Sequence, residues 1–349
     1  MDQVKVAVVG VGHLGSLHAR MYSEMEGVKL VGVVDNLLSR AEEIAQEYGS
    51  LSFPTINHIP EEVEAVSVVV PTPEHYQVAR ELLERGYHLL VEKPFTQDIL
   101  QAKELLRLAE RNNLLVQVGH VERFNPAILA AEKVIKEPRF IECHRQASFQ
   151  PRGTEVGVVL DLMIHDLDII LHLVGSPVVE LEAVGVPVLS RFEDIANARL
   201  KFKNGTIANV TASRISPERM RKIRIFQDDA YISLNYITQQ AWIYRKEEDR
   251  IVSELLPSTR GEPLRLELQS FVESVRLGGV PQVPGQHGLE ALKVALDIIR
   301  EVEKCEKKLK RLQDKTREEW SAGLPEQVEE NDEIMTHLRQ GFGGQAKPE

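Results

Sequence analysis

Cysteine is almost missing from this chain. Cys143 and Cys305 are the two in 349 residues, far apart and in no CxxC pair. That argues against a disulfide framework and against a cysteine zinc site. There is no excess of basic residues either: 42 Lys and Arg face 53 Asp and Glu, a formal charge of −11. Broad nucleic-acid binding needs a basic face to displace counterions from phosphates, so that class is disfavoured. A local basic pocket for an anionic ligand stays compatible with an acidic average. No apolar run reaches the ~18 residues that a membrane span requires. The chain starts without a charged leader and cleavage site, and it shows no internal repeat. A reduced, cytoplasmic setting is expected.

What is present is ordinary for a globular protein: 43% hydrophobic and 27% charged residues, in a chain long enough for two domains. Up to about His120, strand-like apolar runs alternate with helical patterns. Val4–Val9, Leu30–Val34, Val66–Val70, His88–Val91 and Leu115–Val118 read as strands buried on both faces, as in a parallel sheet. Helical stretches lie between them at His13–Met25, Ser39–Tyr48, Pro73–Arg85 and Gln97–Arg111. Leu51–Phe53 is too brief to count. The alternation predicts a doubly wound α/β sheet.

The pattern then changes. A helix near Asn125–Ile135, a strand around Phe140–Ser148 and an apolar helix Val158–Leu173 precede six strand-like segments. These are Val179–Val188, Asp194–Phe202, Thr206–Arg214, Lys222–Phe226, Tyr231–Tyr236 and Ala241–Arg245. Asn204-Gly205 is a two-residue hairpin signal. The expectation is an α+β domain with an open, largely antiparallel sheet, closed by helices at Pro263–Arg276 and Gly288–Lys310. The expected division is 1–120 for the first domain, 121–312 for the second, and a charged, mobile tail over 313–349.

Gly10-Val-Gly12-His13-Leu14-Gly15 follows the first strand and opens the first helix. One glycine serves the tight turn, one the approach of a pyrophosphate, one close helix packing, and the helix N-terminus holds the anion. Alone the pattern is weak, since such a turn is often merely structural. Here Asp35 ends the second strand twenty residues beyond Gly15, where a carboxylate accepts hydrogen bonds from the adenosine ribose. A carboxylate there also repels a 2′-phosphate, which favours NAD over NADP; Arg40 could soften that preference.

Two further motifs sit at carboxyl ends of predicted strands, where ligands of open α/β sheets bind. In Pro71-Thr72-Pro73-Glu-His75, Thr72 reads as N-cap and Pro73 as the first helical residue, with His75 a candidate cofactor contact. In Glu92-Lys93-Pro94, the lysine is placed to stabilise charge on a substrate oxygen, although most lysines merely cover surface. On the helix Val158–Leu173, Asp161, His165, Asp168 and His172 fall at i, i+4, i+7 and i+11, one stripe in apolar surroundings. A wet face would carry Lys, Glu and Gln; Asp and His suit proton transfer, with metal ligation as a lesser alternative.

In this order the glycine loop, Pro71-Thr-Pro-x-His75, Glu92-Lys-Pro94 and Asp161-x-x-x-His165 resemble the Gfo/Idh/MocA oxidoreductases over about Met1 to Lys310. The resemblance implies a Rossmann domain followed by an α/β domain, homodimers or homotetramers, and a catalytic set of Lys93, Asp161 and His165. It also implies that the Lys93–Pro94 bond is cis. Gly119-His-Val-Glu-Arg-Phe-Asn-Pro126 and Asp161-Leu-Met-Ile-His-Asp-Leu-Asp168 resemble UDP-N-acetylglucosamine 3-dehydrogenase-like members, which feed aminotransferases of lipid A or surface-sugar synthesis. On that resemblance Arg123, Arg152 or Lys136 would meet the substrate diphosphate. Gly157-Val-Val159 departs from the glycine pair common in relatives and leaves the local backbone before Asp161 open.

The expected chemistry is hydride transfer from a sugar carbon to nicotinamide. His165 acts as general base, Asp161 orients it from one turn earlier, and Lys93 stabilises the developing alkoxide. NAD is expected along Gly10, Gly12, His13, Leu14, Gly15 and Asp35, and beside Thr72, Pro73, His75, Glu92 and Lys93. A free hexose or an inositol is the alternative substrate, and a non-enzymatic dinucleotide sensor the alternative class.

Overall fold

The computed structural model describes residues 3–150, 156–258 and 260–323. Residues Met1–Val302 form one compact unit that holds two sheets; a second unit begins at Glu303.

The first sheet is built from β1 (Val4–Val9), β2 (Val28–Val34), β3 (Leu51–Phe53), β4 (Ala65–Val68), β5 (His88–Glu92) and β6 (Val116–Gly119). All pairs are parallel and the order is β3-β2-β1-β4-β5-β6, with the reversal of direction between β1 and β4. Helices α1 (His13–Ser23), α2 (Leu38–Tyr48), α3 (Thr72–Glu84) and α4 (Ile99–Arg111) are the crossovers. The strands read as apolar runs because helices cover both faces: Val6, Val8, Val33, Val66, Leu89 and Val91 are fully buried. Asp98 caps α4 by accepting from the N–H groups of Leu100 (2.8 Å) and Gln101 (3.0 Å). Leu51–Phe53, too brief to stand out in the sequence, is the edge strand β3, held by three residues of β2.

After the short helix α5 (Pro126–Ala131), the second sheet takes in β7 (Phe140–Gln146), β8 (Val178–Val186), β9 (Ile195–Phe202), β10 (Ile207–Ser213), β11 (Met220–Gln227), β12 (Ala230–Asn235), β13 (Gln240–Glu247) and β14 (Arg250–Leu255). Its order is β14-β13-β12-β11-β7-β10-β9-β8, antiparallel except for the central β7–β10 pair. One face packs on the helix α6 (Ile164–Val174), where Ile164, Leu167 and Ile170 meet Ile141, Leu200, Val210 and Ile223. The opposite face carries a stacked row of Phe140, Phe226, Tyr231 and Tyr244, with ring centroids 5.7, 4.8 and 5.1 Å apart.

Three expectations need correction. β14 is an additional edge strand whose charged, exposed residues hide its periodicity. The helix expected over Asn125–Ile135 is only Pro126–Ala131. The last helix, α8 (Gly285–Gly323), runs past Leu312, because its charged residues keep good helix propensity. The helix α7 (Pro263–Leu277) returns the chain to the first sheet, packing Leu268 and Phe271 among Val6, Val8 and Leu30.

Candidate active site

The carboxyl ends of β1, β2, β4 and β5 surround a cavity of about 870 Å³. Gly10 adopts φ +85°, and a Cβ there would stand 2.6 Å from the Val69 carbonyl oxygen. A Cβ on Gly15 would lie 1.8 Å from the Gly10 oxygen, whereas at Gly12 nothing lies within 4 Å. The first two glycines therefore seat α1 against the strand, and the third leaves the helix N-terminus open to an anion. Asp35 accepts hydrogen bonds from Val11 N–H (2.8 Å) and Leu37 N–H (3.0 Å) at the cavity wall. Arg40 is tied to the Val11 carbonyl (3.0 Å) and to Glu43 (2.7 Å). A glycine cradle and a carboxylate at these places fit a nicotinamide dinucleotide.

Of the residues expected there, Gly10, Gly12, Leu14 and Asp35 line the cavity, as do Thr72, His75, Glu92 and Lys93. Three stand outside the wall: His13 is exposed on the first turn of α1, Gly15 is buried under Gly10, and Pro73 is exposed. Thr72 is the first residue of α3 rather than its N-cap, which is Pro71. Pro71 is the last extended residue (ψ 143°) before the helix, a shift of one position at the helix end. His75 is buried, with Nδ1 2.9 Å from the Pro94 oxygen and Nε2 2.9 Å from the Val70 oxygen. It clamps the Lys93–Pro94 turn, whose peptide bond is cis, to the end of β4.

Glu92 is buried beside His18, Oε1 to Nε2 3.3 Å, and accepts from the Lys93 N–H at 3.3 Å. Burial opposes its ionisation, but His18 and Lys93 outweigh burial and hold the carboxyl below its ordinary range. Gly119 leaves the space: a Cβ there would meet the Glu92 carboxylate at 2.8 Å.

Lys93 reaches across to the second domain. Its Nζ donates to the Asp161 backbone oxygen (2.8 Å) and lies 3.3 Å from Asp161 Oδ1. Asp161 sits not in an α-helix but in a π-turn, Val159–Met163, that leads into α6. The Val158 N–H bonds the Glu193 carbonyl (2.9 Å), and Glu193 Oε1 accepts from Val159 N–H (3.3 Å). A Cβ on Gly157 would stand 1.9 Å from that carboxylate, so a larger residue there would displace Glu193 from the Val159 N–H.

The π-turn changes the stripe read from the sequence. Its wider winding rotates Asp161 away from the line through His165, and the Asp161 carboxylate meets Lys93 instead of orienting His165. His165 Nδ1 is buried and has no hydrogen-bond partner among the described residues. Burial, then the charges of Lys93 and Arg145, push the imidazole well below its ordinary value, so the ring is neutral at pH 7. Asp168 is buried and stands 3.6 Å from Arg123 Nη1; His172 Nε2 is 3.1 Å from Glu132 Oε1.

The cations expected to meet a diphosphate scatter. Arg123 is buried against Asp168 and lines a different cavity. Lys136 is exposed and pairs with Asp229 at 3.3 Å, while Arg152 lies outside the described residues. The residues missed are Arg145, Arg221, Glu122 and Asp166. Arg145 makes a two-pronged pair with Asp166 (2.7 and 2.8 Å) and a third bond to Glu122 (2.9 Å). Arg221 Nη1 is 3.3 Å from the same Glu122 oxygen, and its buried Nε has no partner among the described residues. One signal was readable: Arg145 falls in phase with the inward residues Ile141 and Cys143 of β7, and a buried arginine demands an acid such as Asp166.

Comparison with known proteins agrees with this geometry. A family model described as "Oxidoreductase family, NAD-binding Rossmann fold" matches residues 4–120, and one described as "GFO/IDH/MocA C-terminal domain" matches residues 129–233. UDP-N-acetylglucosamine 3-dehydrogenase of Acidithiobacillus ferrooxidans is 36% identical over 307 residues, 85% of this chain and 97% of that protein. Its solved structure superposes with a TM-score of 0.83, covering 87% of this chain and 99% of that one. The scyllo-inositol 2-dehydrogenase (NAD(+)) of Bacillus subtilis is 28% identical, covering 80% of this chain and 89% of that protein. A levoglucosan dehydrogenase in complex with NADH and levoglucosan shares the fold at 18% identity, with a TM-score of 0.80 over 87% of this chain and 98% of that one.

Proposed function

The chain belongs to the Gfo/Idh/MocA oxidoreductases, and we propose that it oxidises the 3-hydroxyl of a UDP-N-acetylhexosamine, with NAD preferred over NADP. The observation that carries this reading is the meeting of Lys93 with Asp161, beside a neutral His165, where Lys93 also lines the dinucleotide cavity. A bound nicotinamide supplies the hydride acceptor. His165, unprotonated and without a partner on Nδ1 among the described residues, takes the hydroxyl proton. Lys93 stabilises the oxygen as charge develops, and Asp161 holds Nζ in place through both its carbonyl and its carboxylate.

The choice of a nucleotide sugar rests on the 36% identical relative and on cations near His165. Arg221, whose charge is felt at His165 and whose Nε is unpartnered, is the better candidate for the diphosphate; Arg152 stays a candidate and Arg123 does not. NAD preference rests on Asp35, already engaged with two backbone N–H groups at the adenosine end. The aromatic row on the open face of the second sheet, with Trp242 and Val184 exposed on that face, supports a homodimer or homotetramer. Two free cysteines support a reducing, cytoplasmic setting, and an aminotransferase is the natural consumer of the ketone.

The test is a panel of UDP-sugars, free hexoses and inositols with NAD and NADP, followed by absorbance of reduced nicotinamide. An aminotransferase with an amino donor traps the ketone. Turnover confined to UDP-N-acetylhexosamines supports the reading; turnover confined to an inositol or a free sugar overturns it.

A further inference from the structure

Behind Lys93 and His165 runs a line of buried polar atoms that leads away from the cofactor cavity. His120 is 1% exposed, and neither ring nitrogen has a hydrogen-bond partner among the described residues. Its ring stands perpendicular to that of His165, with centroids 6.4 Å apart. Asp168 lies within reach of His120 electrostatically; its Oδ1 is 3.6 Å from Arg123 Nη1, and its Oδ2 has no hydrogen-bond partner among the described residues.

Asp168 and Arg123 then form part of the wall of a second cavity of about 740 Å³, together with His172, His287, Glu290 and Lys293. Glu290 and Lys293 are exposed, so this cavity reaches solvent. It shares no lining residue with the dinucleotide cavity. The His120 and His165 rings, 6.4 Å apart between centroids, make no hydrogen bond to each other, and buried polar atoms of this kind ordinarily hold ordered water.

We propose that His120 and Asp168 carry the proton taken up by His165 to the second cavity, a back exit from the active site. The inference rests on the dehydrogenase reading above. Oxidising a secondary alcohol to a ketone breaks the C–H and O–H bonds; the hydride reduces oxidised nicotinamide and the proton goes to His165. While cofactor and sugar fill the front of the site, that proton leaves through water to one nitrogen of His120. The ring releases its other proton toward the Asp168 carboxylate, and from there it reaches water in the second cavity. The reverse reaction draws its proton in along the same line. The charged groups facing His120 are Asp168 and Glu92, which favour the imidazolium, and Arg123 and Lys93, which oppose it together with burial. That balance keeps the ring neutral at rest and lets it pass a proton without holding it.

The test is the rate at which the His165 ring N–H exchanges with water, read by ¹⁵N NMR on histidine-labelled protein saturated with NADH and a UDP-N-acetylhexosamine, a pair that fills the front of the site and cannot react. It compares the native protein with His120→Phe and with the isosteric Asp168→Asn. Slowing by about tenfold or more in either variant supports the exit. Equal exchange in the native protein and in every folded variant overturns it; should His120→Phe fail to fold, Asp168→Asn decides alone. A His165 resonance that the sugar does not shift marks failure of the UDP-sugar reading, whereas a shifted resonance with equal exchange marks failure of the exit, so the two failures are distinguishable. In turnover, added imidazole restores activity to His120→Ala if the proton route is what was lost, and does not if the ring only packs.

Discussion

Lys93 and Asp161, 68 residues apart in the chain, meet at 2.8 Å between Nζ and the backbone oxygen and at 3.3 Å between Nζ and Oδ1. The contact joins the end of a parallel strand to the turn that opens α6, so the lysine is positioned by both sheets at once. Replacing Lys93 by Met should leave NAD affinity within about twofold and lower kcat by about 10²–10⁴-fold. Calorimetric titration with NAD and steady-state kinetics separate the two, and unchanged turnover would remove Lys93 from the mechanism.

The acid limb of the pH profile should belong to His165. Burial, Lys93 and Arg145 all disfavour its protonated form, so the base stays unprotonated down through the ordinary imidazole value of about 6.5. Activity as kcat/KM is then expected to hold its plateau below pH 6.5 and fall only in more acidic solution. A limb at or above 6.5 that disappears in His165→Asn would contradict the neutral-base assignment.

Asp35 governs the choice between NAD and NADP. Asp35→Asn removes the charge that repels a 2′-phosphate and keeps an oxygen for only one of the Val11 and Leu37 N–H groups, which bond different carboxylate oxygens. The NADP-to-NAD ratio of kcat/KM should rise by about tenfold, ~1.4 kcal/mol of relieved repulsion. No change in the ratio would shift the discrimination to Arg40.

Glu267 has no hydrogen-bond partner on either carboxylate oxygen among the described residues, and it is fully buried. Burial, then Glu92 and Asp168, push its carboxyl well above the ordinary value. The folded state therefore binds a proton that the unfolded state releases near pH 4.3, and stability from this group falls as pH rises from there. Glu267→Gln abolishes the dependence. Its advantage over the native protein should grow by about 1.4 kcal/mol per pH unit above ~4.3, up to the folded pKa, and vanish below. Urea denaturation at pH 4 and pH 7 reads the difference.

Asp194 is fully buried and gathers the N–H groups of Val188, Leu189 and Ser190, the Ser190 hydroxyl, and Arg214 Nε at 2.8 Å. Burial works against its charge, but these donors prevail and hold the carboxyl below its ordinary value. Its stabilisation is complete above about pH 3.9 and is lost as the pH falls toward the folded value. Asp194→Ala leaves Arg214 without this partner and should destabilise the protein by about 3–5 kcal/mol. Thermal melts at pH 7 check this; a Tm unchanged within a degree would refute it.

The parallel sheet was legible because burial on two faces writes itself as unbroken apolar runs, and its ligand edge because the glycine loop and Asp35 keep a fixed spacing. Two of the four edge strands were not: Leu51–Phe53 is short, and Arg250–Leu255 is largely exposed, so neither shows a period. At the site, Lys93, Asp161 and His165 were nameable from residue type and place, but the partner of Asp161 was not. That pairing depends on a π-turn, and counting by 3.6 residues cannot reveal one. The Arg145–Asp166–Glu122 cluster brings together β7, α6 and the segment after β6, which only the folded chain shows.

The turn at Val159–Met163 has a consequence for how this fold can vary. A π-turn is one residue more than the helix needs, so the chain on either side behaves like two gears meshed with a spare tooth. Leu167 and Ile170 on α6 are locked into the apolar layer beneath the second sheet, while Asp161 answers to Lys93. Removing a single residue from the turn would rewind it to ordinary pitch and swing Asp161 by about 100° around the axis, and it would carry Val159 with it out of the apolar layer. Moving the carboxylate by deletion at this point therefore demands a matching change in the core.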